Sequence, residues 1–191
     1  METATPSASP AVVFARPTAD QIWLGPAQEA ALSQLSRPAR LQLLVGPPSC
    51  GKTTLLQGHA ARLAKDCLVL HARGPKDSSA ALLGSLLLSA DLAPWELSAV
   101  EQRNLLTVFV QQRHSQNRRV LLLVDDAQNF EPPPLEELER LLAFKIDKKP
   151  AFELVMAGPA AIARHWQQAR ARLSAGDVLV HDLVAASQDH F

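Results

Sequence analysis

Gly46-Pro47-Pro48-Ser49-Cys50-Gly51-Lys52-Thr53 is a complete G-x-x-x-x-G-K-T loop lying between an apolar run and a helical stretch. Few short motifs constrain a fold so tightly, because this loop works only where a strand turns into a helix. Leu41 to Val45 reads as the buried strand and Thr54 to Lys65 as the helix. In such a turn the backbone N–H groups of Ser49, Cys50, Gly51, Lys52 and Thr53 converge at the positive end of the helix, a concavity suited to a β-phosphate. Gly46 and Gly51 permit close backbone approach, while Pro47 and Pro48 donate nothing and stiffen the way in. Lys52 is expected to reach the β- and γ-phosphates and the Thr53 hydroxyl to ligate Mg²⁺. Thr54 completes the candidate set that would bind ATP.

A second segment gives the loop a catalytic companion. Arg119-Val120-Leu121-Leu122-Leu123-Val124-Asp125-Asp126 is an aliphatic run ending in acid. Such a run reads as a buried parallel strand whose carboxyl end reaches the nucleotide crevice. Asp125 is the candidate Mg²⁺ ligand opposite Thr53, and Asp126 the carboxylate that polarises the attacking water. Read alone, the segment is equally a buried strand with acids in its exit turn. Paired with the upstream loop, it points to ATP hydrolysis.

The Gly-Pro-Pro-x-x-Gly-Lys-Thr form of the loop resembles that of AAA+ ATPases. Leu122-Leu123-Val124-Asp125-Asp126-Ala127-Gln128-Asn129 resembles the hydrophobic run followed by Asp-Glu-Ala-Gln in their ExeA/GspA type. The resemblance runs from about Trp23 to Val180, with Leu24 to Ala30 similar to the opening helix and Phe152 to Gly158 similar to the sensor strand. It implies a P-loop NTPase three-layer sandwich, an α/β fold around a five-stranded parallel sheet in the order 5-1-4-3-2. It also implies ATP and Mg²⁺ as cofactors, Lys52, Asp126 and Gln128 as catalytic residues, and a protein partner in bacterial envelope, secretion or polysaccharide assembly. Relatives of that type also serve transposition. Homo-oligomers are implied too, with an arginine of one subunit completing the site of the next; Arg170 and Arg172 lie near that position, and equally read as solvated helix residues.

Departures from the family pattern bear on rate. The usual Glu after the metal-binding Asp is Asp126, whose carboxylate is set back by one methylene, about 1.5 Å, and a misplacement of that order costs about a hundredfold. The sensor strand offers Pro159 where a polar side chain is usual, and no small lid domain is read before Phe191. Slow or partner-stimulated hydrolysis is therefore expected. The rival readings are a non-hydrolysing ATP-binding regulator and a small-molecule kinase, the latter disfavoured because Asp-Asp-Ala-Gln belongs with water-activating ATPases.

Residues 1–18, rich in Ala, Pro, Ser and Thr, read as a disordered arm, and residues 19–191 as one ATPase domain. Strands and helices alternate from there. Cys67 to Ala72 reads as a strand, Ser78 to Ser89 and Glu96 to Gln116 as helices, and Pro132-Pro133-Pro134 as a break before a helix over Leu135 to Phe144. Acidic residues are expected to open that last helix. Ala151 to Ala157 and Asp177 to His181 read as strands, and Ala160 to Arg172 as a helix. Trp95 and Trp166 are expected between helix and sheet.

Nineteen Lys and Arg balance nineteen Asp and Glu. That balance gives no overall footprint for nucleic acid or an anionic membrane and counts against a dedicated DNA binder; Arg113, Arg118 and Arg119 read as a solvated helix end first and as a local basic stripe second. Two cysteines, Cys50 in the loop and Cys67 at a strand start, suit reduced thiols. Cys50 reads as a loop filler or, beside a helix N-terminus, as an oxidisable thiol. No run of roughly 20 apolar residues is present, so a cytoplasmic protein that meets the membrane only through partners is expected.

Overall fold

The computed structural model describes residues 25–63, 66–166 and 177–183. Helix α1 (Pro26–Leu35) leads to strand β1 (Leu41–Val45), then α2 (Lys52–Leu63) and β2 (Cys67–Arg73). Two helices, α3 (Ser79–Ser89) and α4 (Ala99–Ser115), precede β3 (Arg119–Asp125). A single 3₁₀ turn at Ala127–Asn129, α5 (Pro132–Ala143) and a small hairpin of β4 (Lys145–Ile146) and β5 (Lys149–Pro150) follow. The chain then forms β6 (Glu153–Gly158), α6 (Ala161–His165) and β7 (Val178–Asp182).

The main sheet runs β2-β3-β6-β1-β7, with every neighbouring pair parallel. Numbered without the two hairpin strands, this is the order 5-1-4-3-2. Each strand alternates its aliphatic side chains between two helical layers, as a doubly covered sheet requires. Leu41, Leu43, Leu122 and Val124 pack with α3, α4 and α5; Leu44, Leu121, Leu123 and Val155 pack with α1 and α2. The result is the three-layer α/β sandwich expected.

Several boundaries differ from the sequence expectations for local reasons. Helix α2 begins at Lys52 rather than Thr54, which puts Lys52 and Thr53 in its first turn. Ser78 caps α3 by accepting from the Ala81 N–H, and Ser98 and Glu101 form a capping box that starts α4 three residues later than Glu96. The prolines at 132–134 do not break the chain ahead of α5. They are its first turn, where a missing N–H costs nothing and φ is already set. Consequently the acids do not open α5: its first turn holds none, and Glu137 is fully buried in mid-helix. The sheet strands over Ala151 and Asp177 start later, at Glu153 and Val178. Residues 64–65 and 167–172, and with them Arg170 and Arg172, lie outside the described residues, as does the arm at 1–18.

Trp166 is buried as expected, but Trp95 is 69% exposed, in the loop between α3 and α4. Hairpin β4–β5 has no counterpart in the sequence reading. Asp147 and Lys148 both take positive φ, the two-residue turn that matches strand twist, with neither Gly nor Asn to announce it.

The sheet face under α1 and α2 also holds buried polar groups. Gln42 donates to the carbonyls of Leu35 at 3.0 Å and Arg37 at 3.1 Å, closing the end of α1, and accepts from His181 Nε2 at 2.7 Å. His59 on α2 is 2% exposed and its Nδ1 has no partner. Burial first, then the cations Arg119, His181 and Arg62, lower its pKa from 6.5 to about 4. The fold therefore keeps His59 neutral, while the unfolded chain protonates it near its ordinary value. The stability this protects is fully present above pH 6.5 and is lost as pH falls toward 4. Urea unfolding should show roughly 2–3 kcal/mol less stability at pH 4.5 than at pH 7.5 from this group. His59→Leu should flatten that part of the profile, and an unchanged slope in the variant would assign the loss elsewhere.

Candidate nucleotide site

All the motif residues meet at the carboxyl edge of the sheet. Val45 ends β1 in register with Gly158 of β6, and Asp125 ends β3 one strand beyond. A cavity of about 600 Å³ opens there. Its walls include Gly46, Ser49, Gly51, Lys52, Thr53 and Thr54 on one side, and Asp125, Asp126, Gln128 and Pro159 on the other. Of the expected site residues only Cys50 does not line it. The Cys50 sulfur sits behind the loop, 3.6 Å from Lys52 Nζ.

The shape of the site depends on one glycine of the loop by geometry and on another, at the end of β6, by space. Gly51 has φ +89°, and a Cβ there would lie 2.5 Å from the Gln28 amide of α1. A Cβ on Gly158 would meet Ile162 at 2.0 Å and Gln128 Oε1 at 2.9 Å, so this glycine lets Gln128 fold over the end of β6. Ser49 also takes a left-handed φ of 62° within the loop.

Lys52 Nζ donates to the carbonyls of Gly46 at 2.9 Å and Pro47 at 2.6 Å. These are the partners an ammonium takes when its loop is closed on itself, and they lie beside the cavity into which it would extend. Across the mouth, the Thr53 hydroxyl donates to Asp125 Oδ2 at 2.7 Å. The other oxygen of Asp125 accepts from the Asp126 backbone N–H at 3.0 Å. A hydroxyl and a carboxylate held this close offer hard oxygen ligands of the kind Mg²⁺ takes, with room beside them for phosphate oxygens and water. The donor set therefore fits the ion.

Arg73, at the end of β2, is a site residue that the sequence reading missed. Its Nε lies 3.1 Å from Asp126 Oδ2 and 3.7 Å from Asp125 Oδ2. Asp126 itself adopts φ 53° and ψ 40°, a left-handed conformation uncommon outside glycine. The register Arg73↔Asp125 was the available signal: once β2 and β3 pair in parallel, their last residues are neighbours. Gln128 also borders a smaller cavity of about 180 Å³ lined by Phe130, Leu135, Ile162 and Trp166, so it stands between the nucleotide cavity and an apolar one.

A parallel α/β sandwich with this loop, helix and acidic strand end is a P-loop nucleotide-binding domain. The sequence pattern of the AAA domain family matches residues 36–166, and the chain belongs to that family. Among solved structures, Cdc6p from Pyrobaculum aerophilum is 20% identical with a TM-score of 0.58, the match covering 81% of this chain and 45% of that one. A Walker-type ATPase of Pyrococcus abyssi is 15% identical with a TM-score of 0.54, covering 89% of this chain and 56% of that one. These likenesses establish the fold, and this chain spans about half the length of those proteins. A curated relative, ABC transporter G family member 41 of Arabidopsis thaliana, is 58% identical over only 33 residues, 17% of this chain and 2% of that protein. Among the described residues, no helix is long and apolar enough to cross a membrane.

Proposed function

We propose that this chain is a Mg²⁺-dependent, slowly hydrolysing ATPase module of the ExeA/GspA type. Its nucleotide state is read by a protein partner in a bacterial envelope, secretion or polysaccharide assembly system. The observation that carries the reading is the 2.7 Å contact of Thr53 with Asp125, facing Lys52 across one cavity. In this reading Lys52 exchanges its two carbonyl partners for the β- and γ-phosphate oxygens, and Thr53 and Asp125 hold Mg²⁺. The bound ion supplies charge neutralisation where phosphoryl charge develops. Ser49, Cys50, Gly51 and Thr54 contribute backbone donors around the phosphates, and Asp126 and Gln128 orient the attacking water. In this reading the protein works in the cytoplasm and meets the inner membrane only through partners, and assembly into a homo-oligomer would let Arg170 or Arg172 serve a neighbouring site.

A second reading, an ATP-binding regulator that does not hydrolyse, is favoured by two specific features. Arg73 occupies the Asp126 carboxylate, and Pro159 lines the cavity where a polar side chain would otherwise assist. The two readings share the metal. Asp125→Ala should remove most of the Mg²⁺ dependence of ATP binding and all turnover, as measured by calorimetric titration with and without Mg²⁺. A variant that keeps Mg²⁺-dependent binding at parental strength would show that Asp125 does not hold the ion.

A further inference from the structure

The opposite edge of the sheet, where the strands begin, carries another cavity, of about 370 Å³. It lies one strand length from the nucleotide site, about 20 Å for the seven residues of β3. The end of α4, the turn into β3 and hairpin β4–β5 enclose it. Gln111, Ser115 and Asn117 supply hydrogen-bonding side chains, and Arg118, Arg119 and Lys149 supply charge. Exposed Lys145 and Lys148 extend the cationic surface along the hairpin. Asp147 also lines the cavity, and the other acids nearby in the chain and sheet are Asp66 and Glu153, the last paired with Arg119 at 3.2 Å. A chain with equal numbers of acidic and basic residues has thus gathered five cations, against three acids, at this edge.

We propose that this face binds the sugar–phosphate backbone of a nucleic acid, without regard to sequence. Arg and Lys with Ser, Asn and Gln are the side chains that contact phosphate and sugar. The cavity is concave and open to solvent, and its single aliphatic side chain, Ile146, is half-buried. A membrane-surface site would instead present an exposed apolar band beside its cations. Among the described residues no Phe or Trp lines the cavity, so bases have no stacking platform there and the backbone alone is read. His114 is not among the ligands: its Nε2 donates to the Ala151 carbonyl at 2.9 Å and ties α4 to the loop before β6.

The test is fluorescence anisotropy of the full chain with a labelled strand of about 20 nucleotides, and with its duplex, between about 50 and 200 mM salt. Binding to either should weaken steeply with salt. The hairpin variant Lys145→Gln/Lys148→Gln/Lys149→Gln changes only exposed side chains. It should lower affinity by tenfold or more and reduce the log–log salt slope by roughly one for each phosphate no longer neutralised. Arg118→Gln, tested separately, should act in the same direction. Thermal stabilisation by Mg-ATP should be the same in the parent and hairpin variant, which separates this face from the nucleotide reading. Absence of binding at the lowest salt, equal binding by the hairpin variant, or binding to anionic phosphatidylserine vesicles but not to either oligonucleotide would each overturn the proposal.

Discussion

Lys52→Ala is expected to eliminate the stabilisation that Mg-ATP gives the folded protein while leaving the apo fold unchanged. In the structure Lys52 is the one ammonium lining the cavity among the described residues. Its present partners are two loop carbonyls, so its removal unfastens the loop only locally. A ligand that binds only the native state stabilises it by about 2.7 kcal/mol at a hundredfold excess over its dissociation constant. For a chain of this size, that is a rise in Tm of roughly 5 to 10 °C. Differential scanning fluorimetry with Mg-ATP should show this rise for the parent and almost none for the variant. Equal shifts would remove Lys52 from the phosphate site.

The largest stability effect is expected far from the cavity, at Arg103→Ala. Glu137 is fully buried, and its two carboxylate oxygens accept from Arg103 Nε and Nη2 at 2.6 Å each. Arg140 adds one contact at 3.2 Å. The bidentate pair fastens α4 to α5. The Glu137 hydrogen bonds also raise the Arg103 pKa above its usual value. Loss of Arg103 leaves a buried carboxylate with only Arg140, at a cost of about 3 kcal/mol or more. A drop in Tm of roughly 10 °C follows for a chain this long. Replacing both partners, Arg103→Leu with Glu137→Leu, should restore most of the loss, because apolar pairs of similar size often match a buried ion pair. A single variant as stable as the parent would mean that Arg140 alone satisfies Glu137.

What the sequence disclosed and what it concealed divide along physical lines. The phosphate loop, its strand and the acidic strand end are local patterns whose residue types follow from one turn geometry, and they were legible. Strand order followed from the family resemblance rather than from any residue. Arg73 was not legible, because its role arises from parallel register between strands separated by two helices. Glu137 looked like a residue of the helix start because the three prolines resemble a break, although proline suits the first turn of a helix. Gln42 sits in an otherwise aliphatic strand, and only the tertiary structure reveals that it closes α1 and receives His181. Trp95 followed the burial preference of its type and was misjudged, since a loop between two helices leaves it in solvent. The basic edge is likewise spread over α4, β3 and the hairpin, and a balanced total charge hid it.

The proposed function requires that ATP be hydrolysed as well as bound, with Asp126 acting on the water. Phosphate release should be measured under single-turnover conditions at high protein concentration, for the parent, Asp126→Glu and Asp126→Asn. The parental rate should be slow, that of the glutamate, which recovers about 1.5 Å of reach, faster, and that of the asparagine nil, with ATP binding retained in all three. A rate that is absent in every form, or one that Asp126→Asn leaves unchanged, would contradict it.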